Sequence, residues 1–407
     1  MKTDWKKVKL GKIYEVHNGL SKGGKFFGSG FPFLSFSTVF NNWFIPETIK
    51  DLVQSTEQEQ EIFSVKKDDV FITRTSETAD ELGMSCVALK DYPNATYNGF
   101  CKRLRPIESD YKFLSKYIGY YLRTPLFRSK FLGLSGAMTT RASLKNDDLL
   151  TMEISLPPLS TQQKIASILS AYDDLIENNR KQIKLLEEAA QRLYKEWFVD
   201  LRFPGYENVA IVDGVPDGWS YERIDSFVKL QNGFAFKSDS FDNNGNYKII
   251  TIKNVQDGSF DSNNVNKINK IPSKMPQWCK LEIGDIVLSL TGNVGRVCLV
   301  TSNNCLLNQR VAKLKSKYPA FTYTLFRSKD MFVMMNNLAN GAAQQNLSPI
   351  RTGEQKILKA TEEIINKFNA IANCYVDKIV MLHKQIEILQ QARDKLLPRL
   401  MSGEMEV

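Results

Sequence analysis

The chain has 407 residues, 43% of them hydrophobic, enough for two or three domains that each bury a core. Its 54 Lys and Arg outnumber 45 Asp and Glu, and the resulting formal charge of +9 favours a polyanionic partner such as nucleic acid. The pattern argues against a disulfide scaffold, a zinc protein, a membrane protein and a secreted one. Six scattered Cys form no C-x-x-C pair, no apolar run reaches the length of a membrane span, and the first residues lack an apolar signal core, so the expected location is the cytoplasm.

Taken in chain order, apolar runs bounded by turn residues predict strands around Ile13, Phe33 to Val39, Val70 to Thr73, Cys86 to Leu89 and Gly99 to Leu104. A helix is expected near Tyr111 to Leu132, then a last strand near Met152 to Leu156. A long helix from Ser160 to Phe198 follows, with no internal Gly or Pro. Ser160 and Gln163 have the spacing of a capping box, and Pro204-Gly205 supplies the stop. Ile165, Leu169, Tyr172, Ile176, Asn179, Ile183, Leu186, Ala190, Leu193 and Trp197 alternate in steps of four and three, the seam of a coiled coil, which requires a partner helix.

That partner lies in the second half, because the chain is written twice. "WKKVKLGKIYEVHNG" (Trp5 to Gly19) aligns without a gap on "WSYERIDSFVKLQNG" (Trp219 to Gly233), with Leu10, Ile13 and Val16 matching Ile224, Phe227 and Leu230. "DDVFITRTSETADELGMSCVAL" matches "GDIVLSLTGNVGRVCLV", "LFRSK" stands identically at Leu126 to Lys130 and Leu325 to Lys329, and "GAMTTRASL" corresponds to "GAAQQNL". The second copy also ends in a long helix. Its seam is Phe368, Ala372, Tyr375, Ile379, Leu382, Ile386, Leu389, Arg393, Leu396 and Leu400. The two exceptions are polar in one copy only, Asn179 opposite the role of Leu382 and Arg393 opposite that of Ala190; a buried Asn fixes register, and a solvated edge explains it equally. Strands are expected in the second copy around Phe227, Tyr247 to Lys253, Ile286 to Leu290, Val297 to Val300, Arg310 to Leu314 and Ile357 to Lys359, with a helix near Phe321 to Leu338. Pro204 to Trp219 reads as an aperiodic linker.

The expected fold is α+β, with two similar mixed α/β domains separated by two long antiparallel coiled-coil helices in a pseudo-two-fold repeat. The expected boundaries are 1–156, 157–203, 204–360 and 361–407.

Chemistry is hard to find in this sequence. The two His, His17 and His383, have no nucleophile or ligand partner at a recognisable spacing. "GLSKGGKF" has the glycine spacing of a phosphate loop but places Phe26 where a hydroxyl should hold Mg²⁺, and its repeat copy lacks the pattern. No adenine-methylation or nuclease motif is visible. Basic and amide side chains, by contrast, recur at matched places: Lys22, Lys25, Arg74, Arg123, Arg128, Lys130 and Arg141 in the first copy, and Lys237, Lys253, Arg296, Arg310, Arg327, Lys329, Gln344 and Gln345 in the second. Lys and Arg neutralise phosphates, and Arg and Gln pair with base edges, so these are candidate DNA contacts; solvated surface charge is the plainer reading of any one of them.

The central "LPPLSTQQKIASILSAYDDLIENNRKQIKLLEEAAQRLYKEWFVDLRFPGYE", the "PDGW" opening the second domain and the closing "LLPRLMSGE" resemble the specificity (S, or HsdS) subunits of type I restriction-modification systems across the whole chain. The second copy departs by having "SPIRTGEQ" where the first has its Pro-Pro turn. The resemblance implies a subunit without catalytic activity of its own, whose target recognition domains each read one half of a bipartite, asymmetric site in double-stranded DNA. It implies two modification methyltransferase (M) subunits that use S-adenosylmethionine, and restriction motor-nuclease (R) subunits that need ATP and Mg²⁺; no cofactor is expected on this chain. Within that reading Tyr194, Trp197, Phe198, Leu201 and Phe203, large apolar groups at a helix end, are expected to dock an M subunit or to pack on the neighbouring domain. A helical scaffold that binds proteins and not DNA is the competing expectation.

Overall fold

Val70–Thr73 is buried on both faces along its whole length, and a strand of that kind belongs in the middle of a sheet. In a computed structural model, which describes residues 5–76, 81–134, 142–262, 265–339 and 345–407, it is an inner strand of an antiparallel sheet of order Tyr14–Asn18, Cys101–Pro106, Val70–Thr73, Ser85–Val87. The second half repeats it with Val228–Asn232, Val311–Ser316, Ile286–Ser289 and Val297–Leu299. A second sheet accompanies each. Phe33 and Leu34 pair in parallel with Thr96 and Tyr97, as Ile249 and Ile250 do with Leu306 and Leu307. Two-stranded ladders close each copy, Lys6–Lys9 on Glu153–Leu156 and Ser220–Arg223 on Lys356–Lys359.

The chain divides into two units, Met1–Asp174 with Leu389–Val407, and Leu175–Ile388. The long helices Leu159–Phe198 and Glu362–Met401 each supply residues to both. In the first unit Ile165, Ala166 and Leu169 share one core with Leu397, Leu400 and Met401, together with Leu10, Ile72 and Tyr117. In the second unit Ile176, Ile183, Ile379, Leu382 and Ile386 are buried, and Trp197 meets Phe368 edge-on with ring centres 5.7 Å apart. The helices pack antiparallel, with Asp173 beside Arg393, Asn179 beside Gln385 and Trp197 beside Phe368. Tyr172, Leu186, Leu193, Tyr375, Leu389 and Leu396 are half-buried at its margins. Both polar seam residues are buried: Asn179 donates to Gln385 Oε1 at 3.3 Å, and Arg393 pairs with Asp173.

Several local expectations are corrected. The first long helix begins one residue before Ser160, its first-turn N–H groups returning to the Pro158 carbonyl. The side chain that ties this end is Gln162, which is fully buried and bonded to the Lys112 and Pro157 carbonyls and the Leu114 N–H, so no Ser160–Gln163 box is needed. The helix stops at Phe198 through Leu201, left-handed at φ 59°, with the Arg202 N–H returning to the Glu196 carbonyl. Pro204 and Gly205 lie beyond the turn. Within the expected linker, Ile211–Val212 and Val215–Pro216 form a small hairpin. Phe33 to Val39 divides at Ser35, whose hydroxyl caps the helix Phe36–Asn41. Each expected single helix in the aromatic segments is two: Ser115–Leu122 with Pro125–Leu134, and Pro319–Phe326 with Lys329–Ala339.

That division overturns the alignment of the identical "LFRSK" pentamers. The first lies inside Pro125–Leu134, whereas the second runs from the end of Pro319–Phe326, through its cap Arg327, into the next helix. The counterpart of Arg327 is Arg123, which caps Ser115–Leu122 in the same way.

Candidate nucleic-acid interface

At one edge of each main sheet three loops are pinned to one another by backbone hydrogen bonds, in the same pattern twice. In the first unit the Arg74 N–H donates to the Phe100 carbonyl (2.9 Å) and the Leu144 N–H to the Arg74 carbonyl (3.0 Å). In the second, Leu290 donates to Arg310 (3.0 Å) and Leu347 to Leu290 (2.7 Å). The hairpin loop in each is clamped by a hydroxyl at its base. Thr73 Oγ1 accepts from the Met84 N–H and Ser289 Oγ from the Arg296 N–H, both at 3.0 Å, while donating back to the carbonyls of Glu81 and Asn293. A fourth segment explains the Asn-Gly that ends both aligned openings. A Cβ on Gly19 would stand 2.2 Å from the Asn98 carbonyl oxygen, and one on Gly233 2.1 Å from that of Asn308, so only glycine allows the loops to close.

Beneath the first junction Lys102, 2% exposed, donates to Asn18 Oδ1 at 3.0 Å and to Asn146 Oδ1; burial, with Arg74 nearby, pulls its ammonium down to about 8. Further from the loops, Asp69 holds Arg105 (2.7 Å) and Asp285 holds Lys313 (2.6 Å), while each carboxylate also accepts a turn N–H at 2.8 Å, from Lys66 or Glu282. These sheet cations are engaged internally. So is Arg123, whose guanidinium binds the carbonyls of Ser85 (2.7 Å) and Asn42 (2.6 Å) and lies 4.6 Å from the Trp43 ring centre; burial lowers it to about 10.

Among the residues expected to contact DNA, the junctions gather Arg74, half-buried, and Arg296, Arg310 and Gln345. Lys25 and Lys237 are exposed on the segments following Gly19 and Gly233. Lys253 is exposed next to Ile252, which faces the Gly292 turn of the second hairpin loop. Arg141 and Gln344 lie outside the described residues. Others stand apart. Lys22 is held by Glu59 (2.6 Å) and the Gln54 carbonyl (2.6 Å), a fold contact and not a free phosphate ligand. Arg128, half-buried, and Lys130, exposed and 3.4 Å from the Glu153 carbonyl, belong to Pro125–Leu134, and Lys329 is exposed at the start of its helix. Arg327, half-buried, pairs with Glu187 and stacks 5.4 Å from Tyr323, with Asp257 at 3.2 Å, so its charge is balanced inside the second unit. Phe100 was missed, although the Asn that both loops carry two residues earlier, Asn98 and Asn308, aligns it with Arg310.

The apolar helix end also finds its cover within the chain. Phe198 has ring centres of Phe321 and Phe368 at 5.0 Å, Phe203 has that of Trp219 at 5.0 Å, and Tyr194 and Trp197 are buried. Leu201, half-buried, forms the left-handed turn. Packing within the chain is thus what the structure shows of this group, with Phe198 and Leu201 half-buried.

Among the described residues no group of His, Cys, Asp and Glu is arranged to hold a metal, and no helix is long and apolar enough to cross a membrane. Five of the six Cys are buried, and burial pushes the Cys86 and Cys305 thiols up to about 12.

The family model for the type I restriction modification DNA specificity domain matches residues 2–188 and 216–357. The chain is 26% identical to the type I restriction enzyme MjaIX specificity subunit of Methanocaldococcus jannaschii, over 99% of this chain and 94% of that protein. It is 22% identical to the HindI specificity subunit of Haemophilus influenzae, over 64% and 70% of the two chains. The fold is similar to the crystal structure of a type I restriction-modification S subunit from M. genitalium, with a TM-score of 0.56, 14% identity, and 98% and 96% of the chains covered.

Proposed function

The chain belongs to the type I restriction-modification DNA specificity family, and from that premise we propose that its two clamped loop junctions each read one half of a bipartite, asymmetric site in double-stranded DNA. As a specificity subunit it is not itself a catalyst. Methyl transfer from S-adenosylmethionine then falls to M subunits, and cleavage driven by ATP with Mg²⁺ to R subunits. The observation that carries this reading is the repeated junction: one backbone frame, built twice, with different side chains at its rim. Shared geometry presents residues to a groove, and unlike residues select unlike bases.

The long helices set the spacing. Each has 40 residues, about 60 Å at 1.5 Å per residue, longer than one turn of duplex, about 34–36 Å. Their outer faces also carry exposed apolar residues in matched register: Ile168 with Ile371, and Leu185 with Ile388. Equivalent apolar positions on two pseudo-symmetric helices suit two copies of one partner, and we assign them to the two M subunits.

The test is an exchange. Replacing residues 1–156 with the first domain of another family member, expressed with M subunits, is expected to change one half of the methylated sequence and leave the other intact. Changes in both halves would refute independent reading. Steep loss of duplex binding with rising salt is expected, and its absence would favour a scaffold that binds only proteins.

A further inference from the structure

Phe100 and Arg310 occupy one position of the repeat, and they differ in kind. Each follows an Asn by two residues, and in each case that Asn side chain accepts the residue's own N–H: Asn98 Oδ1 from Phe100 at 2.7 Å, Asn308 Oδ1 from Arg310 at 3.3 Å. The carbonyl of each is bonded to the hairpin loop, by the N–H of Arg74 or Leu290. Both backbone ends of the residue are thus held while the side chain is left outside. Phe100, 51% exposed, is the most exposed aromatic residue among the described residues of the first unit, and Arg310 is exposed with no ion pair to any described residue.

An exposed Phe on a fixed turn gains nothing from the fold. A phenyl group left in water forgoes the gain of burial, and a rigid backbone gives it no way to fold inward. An unpaired Arg at the same point keeps a planar fork of donors free. Among the described residues that pin each position, Asn98 and Arg74 in one and Asn308 and Leu290 in the other, none carries a carboxylate, which suits an approaching polyanion.

We propose that this position is a base-reading position in both half-sites, with Phe100 contacting a thymine methyl group and Arg310 pairing with O6 and N7 of a guanine. The inference rests on the DNA-reading function proposed above and adds to it the residue and the base class. The chemistry follows from what base edges offer in the major groove: the thymine methyl is its one apolar feature, and guanine presents two acceptors at the spacing of the guanidinium fork.

The experiment is selection from randomised duplexes by the full chain assembled with M subunits, for the wild type and for Arg310→Ala, Arg310→Lys, Phe100→Ala and Phe100→Leu, with thermal melting to verify each fold. Arg310→Ala is expected to relax one G·C position in one half by about 10-fold or more. Phe100→Ala is expected to relax one A·T position in the other half, and Phe100→Leu, which keeps apolar contact, to relax it less. A uniform loss of affinity with unchanged preference would identify phosphate contacts and overturn the assignment, as would an unchanged preference in folded variants. A wild-type complex that selects no two-part sequence would bring down the underlying reading as well, whereas a two-part wild-type sequence with indifferent variants would bring down this assignment alone.

Discussion

Arg393 is an unusual residue to find in a helix seam, and replacing it with Ala has a calculable effect. Its guanidinium, 7% exposed in the residue as a whole, pairs with Asp173 on the other long helix and stacks 4.6 Å from the Trp43 ring centre, while Asp173 also accepts the Tyr120 hydroxyl. Arg393→Ala leaves the Asp173 carboxylate buried with one neutral donor. Breaking a buried pair from one side costs about 3–5 kcal/mol, and in a unit of this size 1 kcal/mol moves the melting temperature by about 2–4 °C, so a drop near 10 °C in the transition of the first unit is expected. The pH dependence supplies a second signature. Burial already raises the Asp173 pKa above its ordinary value against the pull of Arg393, and losing that cation raises it further. A group whose folded pKa is raised contributes stability that is present below the unfolded value and lost as pH rises through the folded one. The deficit of Arg393→Ala is therefore largest at neutral pH and shrinks as pH falls toward 4. Asp173→Asn with Arg393→Met removes both charges and is expected to lie within about 1–2 kcal/mol of wild type. Melting curves between pH 4 and 7.5 for the single and double variants decide the matter: a single-variant loss under 1 kcal/mol, or a deficit that grows in acid, refutes the reasoning.

Other expectations follow from the same geometry. Gly233→Ala drives a methyl group into the Asn308 carbonyl and should destabilise the second unit by at least about 1–3 kcal/mol, and Gly19→Ala should do the same in the first, both measurable by denaturant titration. For Lys102, whose folded pKa lies near 8 against 10.5 for the free side chain, the unfolded chain holds the proton more tightly, so stability rises with pH between about 8 and 10.5. Lys102→Met should remove up to about 3 kcal/mol of that slope, judged by urea unfolding at pH 7.5 and 9.5. Inserting one heptad in both long helices should lengthen the spacer of the methylated sequence and keep both half-sites, and methylation mapping that returns the original spacer would deny the helices a role in spacing.

The parts of the fold that were legible in the sequence are those written with a period or written twice. The seam from Ile165 to Trp197 and its answer from Phe368 to Leu400 announced two paired helices because an apolar stripe of 3.5-residue period is buried only against another helix. The opening alignment of Trp5 with Trp219 was equally sound, since Lys6–Lys9 and Tyr14–Asn18 recur as Ser220–Arg223 and Val228–Asn232. Identity of letters misled where geometry differed. The "LFRSK" pentamers match over five residues, yet a helix break falls before one and inside the other, and that break decides which Arg caps a helix. Capping failed for a related reason: Gln162 reaches across to residues 112 and 114, a tertiary contact with no local signal. At the candidate site, basic residues were visible but their acidic partners were not, because Glu187 is distant in sequence from Arg327, as Glu59 is from Lys22. Phe100 carries no charge and follows no period, so nothing local marks it.

The first unit is not a continuous stretch of chain, and this has a consequence for how the protein is made. Leu397, Leu400 and Met401 complete the core that begins with Val8 and Leu10. A ribosome therefore finishes the whole of the second unit before it releases the last piece of the first. The domain synthesised first is the last to close, and until Leu397, Leu400 and Met401 are made its apolar surface awaits a helix that does not yet exist. A stop codon at Leu389 would thus injure the first unit, far away in sequence, more than the second unit that precedes it directly.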